Sequence, residues 1–319
     1  MTGQATEYPA FTPQVSRLDV IQDSLDTAFE PLEWQSSEGL KLAGRDYGAK
    51  NGADLPILCL AGLTRNSRDF EPLAAHLVAR GRRIITLDYR GRGLSDRDPQ
   101  PDRYSPLVEL ADTLALIDGL GLQSVQAIGT SRGGIQLMLG ALIRPQLFER
   151  AILNDVGPKI DLQGLLRIKG YVGRDLGDMT WEQAVFALSV SQGTGFPRLD
   201  DAGWQRYARR LWRDVGGKPV SDYDPALALG LAALTPETKL QELWEAFDAL
   251  AQKPVLVLRG SLSDILTDRI LNEMTERQPS IACHIVPDEA HAPLLEDDET
   301  LGMIERFLNG NRGDGTRAD

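Results

Sequence analysis

Ser131 and its neighbours carry the clearest chemical signal in the sequence. The serine lies in the run Gly-Thr-Ser-Arg-Gly-Gly at 129–134, after the apolar stretch 125–128 and before apolar residues at helical spacing. This pattern predicts a tight strand-to-helix turn, in which Gly129 and Gly133 permit close backbone approach and the serine is strained. Such a nucleophile elbow lifts the hydroxyl clear of the sheet. It also points the first amides of the next helix at a developing oxyanion, so the predicted chemistry is attack by Ser131 on a carbonyl carbon.

A serine hydroxyl needs a base to take its proton, most often a histidine held by a carboxylate. The chain has three histidines. His76 lies inside a helical pattern, and His284 alternates within the last strand pattern, 282–286. His291 follows that strand in a loop, and catalytic groups gather at the carboxyl ends of the strands of an open α/β sheet. The sequence therefore favours His291 as the base.

The carboxylate that orients the histidine should also follow a strand, and two aspartates compete for this role. Asp264 comes after the strand pattern 255–258, and Asp268, four residues further, is interpreted as a helix cap. Asp155 follows the strand pattern 151–153, where its alternative role is to bind backbone amides at the start of a long insertion. The sequence favours Asp264 and keeps Asp155 as the rival.

Two backbone amides should bind the oxyanion. One belongs to Arg132, the residue after the nucleophile, and the other is expected from Leu63 in the loop after an earlier strand. Arg65, Asn66 and Arg68 lie in the same loop and are within reach of a substrate carboxylate, although solvated surface charge is the favoured interpretation.

The elements that position these residues follow a simple order. Two alternating runs, 29–35 and 40–47, flank a Ser-Ser-Glu-Gly turn and predict a β-hairpin. From residue 55 onward, strands alternate with helices, which predicts a parallel sheet with helical crossovers. The predicted core comprises residues 26–156 and 254–308, with a loosely attached arm at 1–25 and a disordered tail at 309–319.

Residues 157–253 interrupt this alternation and read as helices only, so they predict an inserted, all-helical cap. The insertion holds four of the five tryptophans, Trp181, Trp204, Trp212 and Trp244. Packing within the cap is the favoured role for most of them, and some are expected to line a pocket at the domain interface.

Composition narrows the classes of partner and compartment. Thirty-four basic and 46 acidic residues give a net charge of −12, which repels nucleic acid and anionic membrane surfaces. No apolar run reaches the ~20 residues of a membrane span, and no signal peptide is apparent, so a soluble, cytoplasmic protein is predicted. Cys59 and Cys283 lie in apolar strand patterns, far from histidine clusters, which indicates neither a disulfide framework nor a metal site.

Taken together, these segments resemble the α/β-hydrolase fold family. The resemblance rests on the elbow, on Asp-Tyr-Arg-Gly-Arg-Gly-Leu-Ser at 88–95, on Arg-Gly-Ser-Leu-Ser-Asp at 259–264, and on His291, and it runs from about Phe29 to Leu308. It implies an α/β fold with a mostly parallel eight-stranded sheet flanked by helices and a cap inserted after strand six. The order Ser, Asp, His along the chain is also the family's.

The sequence departs from the family's commonest pattern at two positions. Family members often have His-Gly where this chain has Ala61-Gly62, and Gly-His where it has Ala290-His291. The first difference concerns the shape of the oxyanion loop, and the second costs some freedom in the turn.

The resemblance implies a serine hydrolase that cleaves a carboxylic ester or lactone without a cofactor. A serine at the elbow argues against the family's haloalkane dehalogenases and epoxide hydrolases, whose intermediate needs an aspartate. The alternatives are a hydrolase of the C–C bond beside a ketone in a diketone-type substrate, and a catalytically silent small-molecule binder. The expected partner is a small-molecule substrate, and the sequence leaves the oligomeric state open.

Overall fold

The computed structural model of the chain describes residues 27–50, 52 and 54–310. The predicted arm at 1–25 and the part of the predicted tail at 311–319 lie outside the described residues. Asn309 and Gly310 are described and form the turn that ends the last helix.

An eight-stranded sheet forms the centre of the fold, in the order β1-β2-β4-β3-β5-β6-β9-β10. The β1–β2 and β2–β4 pairs are antiparallel, and the remaining neighbours in the sheet are parallel, so the predicted mostly parallel sheet is confirmed. The strands are β1 Phe29–Gln35, β2 Lys41–Tyr47, β3 Ile57–Leu60, β4 Ile84–Asp88, β5 Val125–Thr130, β6 Phe148–Asn154, β7 Trp212–Val215, β8 Lys218–Ser221, β9 Val255–Gly260 and β10 Ala282–Val286.

Helices cover both faces of this sheet. Leu58 and Leu60 of β3 pack on the side of α2, α3, α7 and α8, whereas Ile57 and Cys59 pack on the side of α1 and α9. Because both faces are buried, β3 is apolar at every position and the other central strands are largely apolar. The helices are α1 Glu71–Val78, α2 Pro106–Gly119, α3 Arg132–Ile143, α4 Leu162–Lys169, α5 Trp181–Gln192, α6 Asp201–Leu211, α7 Trp244–Leu250, α8 Asp268–Arg277 and α9 Asp298–Leu308, with 3₁₀ turns at Ser67–Phe70, Pro101–Arg103 and Pro225–Leu231.

The segment between β6 and β9 contains a pair of strands besides its helices and loops, so the prediction of an all-helical insertion is wrong in this detail. Strands β7 and β8 form an antiparallel hairpin between α6 and the 3₁₀ turn at Pro225–Leu231. Gly216 and Gly217 connect them, with φ of 62° and 81°. Two consecutive residues at positive φ form the hairpin turn whose twist matches the strands, and glycine adopts it without strain.

None of the described helices has both the length and the apolar character that crossing a membrane requires.

Candidate active site

The elbow forms where the sequence predicts it, between β5 and α3. Ser131 has φ of 51°, a conformation that costs energy for a residue with a side chain. The turn is tight because a Cβ added at Gly133 would lie 2.1 Å from the Leu60 carbonyl oxygen, and one added at Gly129 would lie 2.5 Å from the Gly133 backbone. The two glycines therefore let α3 start directly against the sheet and hold the serine at its carboxyl edge.

His291 connects Ser131 to a buried carboxylate. Its Nε2 lies 2.9 Å from the Ser131 hydroxyl oxygen, and its Nδ1 lies 2.8 Å from Oδ2 of Asp155. With Nδ1–H donating to the carboxylate, Nε2 is free to accept the serine proton. These three residues therefore have the geometry of a nucleophile, its base and the group that orients the base.

Asp155 is held as firmly as the nucleophile. Its side chain is fully buried, and its backbone has φ of 58°. The Gly260 N–H donates to Oδ1 at 3.0 Å, and the Ser263 hydroxyl donates to Oδ2 at 2.6 Å. Three donors, including the histidine, therefore satisfy the carboxylate without water, which keeps it oriented toward His291.

The prediction that Asp264 orients His291 is wrong. Asp264 binds Arg167 of α4 through both oxygens, at 2.5 and 2.8 Å, and both side chains are 39% exposed. Burial pushes the pKa of Asp264 upward, but the hydrogen bonds and charge of Arg167 outweigh it, so the pKa is lowered. Gly260, the last residue of β9, and Ser263, in the loop after it, donate an amide and a hydroxyl hydrogen bond to Asp155, so this region supports the acid and does not supply it.

The reason for this correction lies in strand order. β6 is the neighbour of β5, and the Ser131 amide donates to the Asn154 carbonyl at 3.0 Å. Asp155 is the next residue, so it emerges beside the nucleophile, whereas β9 lies one strand further away. A sequence signal existed, because Asp155 follows its strand without a spacer and Asp264 follows four residues after the end of β9.

Asn154 is a residue of the site that none of the motifs described above includes. Its amide nitrogen donates to the Thr130 hydroxyl and to the Pro293 carbonyl, both at 3.0 Å. It therefore links the strand before the nucleophile to the loop that carries His291. A buried asparagine at the end of an apolar strand is the signal that would have found it.

The two loops predicted to supply the oxyanion amides meet at the serine. Leu63, Ser131 and His291 line one cavity of about 280 Å³. Arg132 is the first residue of α3, and the first N–H groups of a helix have no partner within it. Both amides stay predictions as oxyanion donors.

Arg65, Asn66 and Arg68, which follow Leu63, bind partners within the protein, so the interpretation of these residues as solvated surface charge is wrong. Arg65 pairs with Asp69 and donates to the Tyr207 hydroxyl at 3.2 Å. Arg68 and Asn66 are both buried. They anchor this loop to the insertion because both contact Asp222, at 2.8 and 3.2 Å.

The insertion forms the outer wall of the cavity through Tyr171, Tyr207 and Trp212, together with several smaller side chains. Of the four tryptophans predicted as pocket residues, only Trp212 lines it.

The other three tryptophans pack elsewhere. Trp181 packs on Trp212 with ring centroids 6.3 Å apart, and Trp204 is buried against Tyr207. Trp244 contacts Phe247 and donates to Glu242 at 2.7 Å.

The remaining candidates lie away from the serine. His76 is on α1, where its Nε2 lies 3.0 Å from Glu305 of α9, and His284 is within β10. Cys59 and Cys283 are both free thiols. Among residues 27–50, 52 and 54–310, no three His, Cys, Asp or Glu side chains are grouped as a metal site would require.

A model of the Alpha/beta hydrolase family matches residues 57–302, which is more than half of the chain. The chain belongs to this family. A solved structure of an alpha/beta hydrolase from Novosphingobium aromaticivorans is 40% identical, with a TM-score of 0.83 over 89% of this chain and 99% of that one.

Two curated relatives of this alpha/beta hydrolase are similar over most of their length. A 3-hydroxybutyrate-oligomer hydrolase from Cupriavidus necator is 31% identical over 80% of this chain and 88% of its own. A 2-(acetamidomethylene)succinate hydrolase from Mesorhizobium japonicum is 27% identical over 82% and 90%. The family and these relatives identify the chain as a hydrolase.

Proposed function

We propose that the chain hydrolyses a carboxylic ester or lactone through an acyl-enzyme on Ser131. The observation that carries the proposal is the continuous contact from the Ser131 hydroxyl through His291 to Asp155, at 2.9 and 2.8 Å, beside a cavity open to a small molecule. That arrangement suits a substrate with an electrophilic carbonyl carbon.

In the proposed reaction, the Ser131 oxygen bonds to the carbonyl carbon while its proton passes to Nε2 of His291. The carbonyl electron pair moves onto oxygen, which the Leu63 and Arg132 amides bind. The intermediate then re-forms the carbonyl and expels the alcohol oxygen, which takes the proton from His291. Water repeats the sequence on the acyl-enzyme, giving its proton to His291, and releases the acid and free Ser131. Asp155 keeps its negative charge throughout and stabilises the imidazolium.

The relatives support an ester as the bond that is cleaved. The name of the Cupriavidus necator protein specifies 3-hydroxybutyrate oligomers, which are joined by ester bonds between a hydroxyl and a carboxyl group. The cavity of about 280 Å³ is close to the lower end of the usual range of ligand sites, which favours a short substrate. Short hydroxyacid esters and lactones are therefore the first compounds to test.

The test combines active-site labelling with a substrate panel. A fluorophosphonate probe should label the wild-type protein and Ser189→Ala, whose serine lies outside the cavity, but not Ser131→Ala. The panel should contain p-nitrophenyl esters, 3-hydroxybutyrate oligomers, lactones and a vinylogous diketone. Ser131→Ala should lose ~10⁴-fold or more in kcat on the substrate that is turned over.

The outcomes separate the proposal from its alternatives. Cleavage of the diketone with no ester or lactone turnover would replace it with C–C bond hydrolysis. A wild-type protein that is folded, unlabelled and inactive on the whole panel would indicate a small-molecule binder.

A further inference from the structure

The Asp88–Ser95 segment carries two buried arginines whose side chains lead to different parts of the fold. Arg90 binds both carboxylate oxygens of Asp112 on α2, at 2.8 and 2.7 Å, and also Asp98 at 2.7 Å. Arg92 instead extends toward the elbow. The contacts of Arg92 therefore lead to residues that take part in the proposed reaction.

Arg92, in the loop after β4, and Glu109, on α2, form a fully buried ion pair. The Arg92 Nε donates to the Leu63 carbonyl at 2.9 Å, and its Nη1 donates to Glu109 Oε1 at 2.6 Å. The second oxygen of Glu109 accepts from Nε of Arg132 at 2.8 Å. One carboxylate on α2 therefore links the loop after β3 to the first residue of α3.

Glu109 is ionised in this setting. Burial raises the pKa of its carboxyl group, but the positive charges and hydrogen bonds of Arg92 and Arg132 outweigh burial and lower it. Charge-assisted hydrogen bonds in a dry interior are short and directional. Charge-assisted hydrogen bonds on both oxygens of Glu109 therefore connect Leu63, through Arg92, with Arg132.

The link joins Leu63 and Arg132. In the proposed function, the backbone amides of these two residues bind the oxyanion. The Gly62 carbonyl, which shares a peptide unit with the Leu63 amide, accepts from the Arg65 amide at 3.2 Å. The Arg65 amide therefore sets the direction of the Leu63 N–H, which points opposite to the Gly62 carbonyl, whereas Arg92 binds the carbonyl of the next peptide unit and so holds Leu63 from its other side. The Arg132 N–H lies at the start of α3, where no partner within the helix competes for it.

We propose that Glu109 is a positioning residue that, through Arg92 and Arg132, holds the Leu63 and Arg132 amides at the separation an oxyanion requires. The proposal rests on the proposed function, because the oxyanion forms only when Ser131 attacks a carbonyl. Glu109 itself is buried on α2 and acts through its two partners. Oxyanion donors work by being preorganised, so a loosened link slows the chemical step and leaves substrate binding nearly unchanged.

Asp112 offers a matched control because it lies on the same helix, three residues further along. It is also buried and also pairs with an arginine of the Asp88–Ser95 segment. Its side-chain partner is Arg90, which also binds Asp98 and Glu38, and the Arg90 side chain contacts neither Leu63 nor Arg132. Asp112→Asn therefore reproduces the cost of breaking a buried ion pair at this interface without touching the oxyanion loops.

The experiment compares Glu109→Gln with Asp112→Asn in the full chain, on equal amounts of folded protein. Loss of one oxyanion donor costs ~10²–10³-fold in kcat, and displacement of donors should cost part of that, about 10–100-fold. We expect Glu109→Gln to lower kcat by this factor, to change KM less than about threefold, and to weaken inhibition by a trifluoromethyl ketone in parallel with kcat/KM. Asp112→Asn should keep kcat within about threefold.

A second pair of variants keeps the test decisive if Glu109→Gln does not fold. Arg132→Met removes one arm of the link and leaves Glu109 paired with Arg92, and Arg144→Met at the other end of α3 is its control. Hydrogen exchange adds a readout independent of turnover: the amides of residues 62–66 and 131–133 should exchange faster in Glu109→Gln and Arg132→Met than in the controls.

The outcomes separate the positioning role of Glu109 from the proposed hydrolase function on which it rests. If the wild-type enzyme turns over esters and both test variants match their controls in kcat and exchange, Glu109 has no positioning role. A rise in KM without a fall in kcat would also refute it. A wild-type protein that neither reacts with fluorophosphonate nor cleaves the panel overturns the proposed function, and the oxyanion role falls with it.

Discussion

Asp155 and Asp264 are the residues at which the structure makes its sharpest prediction. Replacing Asp155 with Asn keeps the shape of the side chain but turns one of its two acceptor oxygens into a donor. The two oxygens accept from the Gly260 amide, the Ser263 hydroxyl and His291. Whichever way the new amide group is turned, its NH₂ faces a group that donates to the carboxylate in the wild-type protein.

The expected loss follows from the tautomer of His291. If the NH₂ group faces Nδ1, that nitrogen must act as an acceptor, and the imidazole proton moves to Nε2, 2.9 Å from the Ser131 hydroxyl. A protonated Nε2 cannot accept the serine proton. The same change in a serine protease costs ~10⁴ in kcat, and that factor equals about 5 kcal/mol of transition-state stabilisation.

Asp264→Asn serves as the matched comparison. The Arg167–Asp264 pair is 39% exposed on both sides, and exposed ion pairs contribute about 0–1 kcal/mol to stability. We expect this variant to keep kcat within about fivefold, because the carboxylate contacts Arg167 and not His291.

The assay is single-turnover acylation by a p-nitrophenyl ester together with the rate of fluorophosphonate labelling. Acylation isolates the proton transfer from Ser131, and a urea unfolding curve corrects for any loss of folded enzyme. The reasoning fails if Asp264→Asn loses 10³-fold or more while Asp155→Asn stays within tenfold of the wild type.

Three further changes test other parts of the structure. Gly133→Ala should destabilise the fold by about 3 kcal/mol or more in urea unfolding, because its Cβ would overlap a β3 carbonyl. Gly230→Ala, with open space around it, should change stability little. Equal effects of the two variants would contradict the packing argument. Trp212→Ala should shift kcat/KM along an ester chain-length series, by ~1–3 kcal/mol per methylene, because Trp212 lines the cavity. Trp244→Ala should leave the series unchanged. If neither variant shifts the series, Trp212 does not determine substrate length. Burial raises the pKa of Glu289 from 4.5 to about 7, so the folded state holds this proton more tightly than the unfolded chain. The stability that this proton contributes is complete below pH 4.5 and is lost as pH rises through 7. Relative to Glu289→Gln, the wild type should therefore lose up to about 3 kcal/mol of unfolding free energy between pH 4.5 and pH 8. A difference between the two proteins that does not change with pH would refute this.

Local patterns in the sequence determined most of the sheet and the nucleophile. The predicted strand runs 29–35, 57–60 and 282–286 coincide with β1, β3 and β10. The buried parallel strand β3 is a short apolar run, β10 is a largely apolar run at the edge of the sheet, and the hairpin strand β1 alternates; all three patterns are properties of neighbouring residues. The role of Ser131 could equally be predicted from the local sequence, because a strained turn needs its glycines within a few positions of the serine.

The hairpin in the insertion was also a local feature, but its signal was weaker. Trp212–Val215 and Lys218–Ser221 follow a helix directly and carry no alternation of apolar and polar residues. Gly216 and Gly217 are a signal for the hairpin turn, but two glycines are equally compatible with a connection between two helices.

Tertiary structure alone decided which acid, which tryptophan and which arginines belong to the site. Asp155 and Asp264 both follow strands, and the choice between them depends on β6 lying next to β5 in the sheet, which no window of sequence contains. Trp212 lines the cavity as the first residue of the hairpin strand β7. Arg92 and Arg90 are two residues apart, yet Arg92 leads to the oxyanion loops and Arg90 does not. Sequence spacing fixes the direction of a side chain within its own element, whereas the packing of distant elements fixes what that side chain meets.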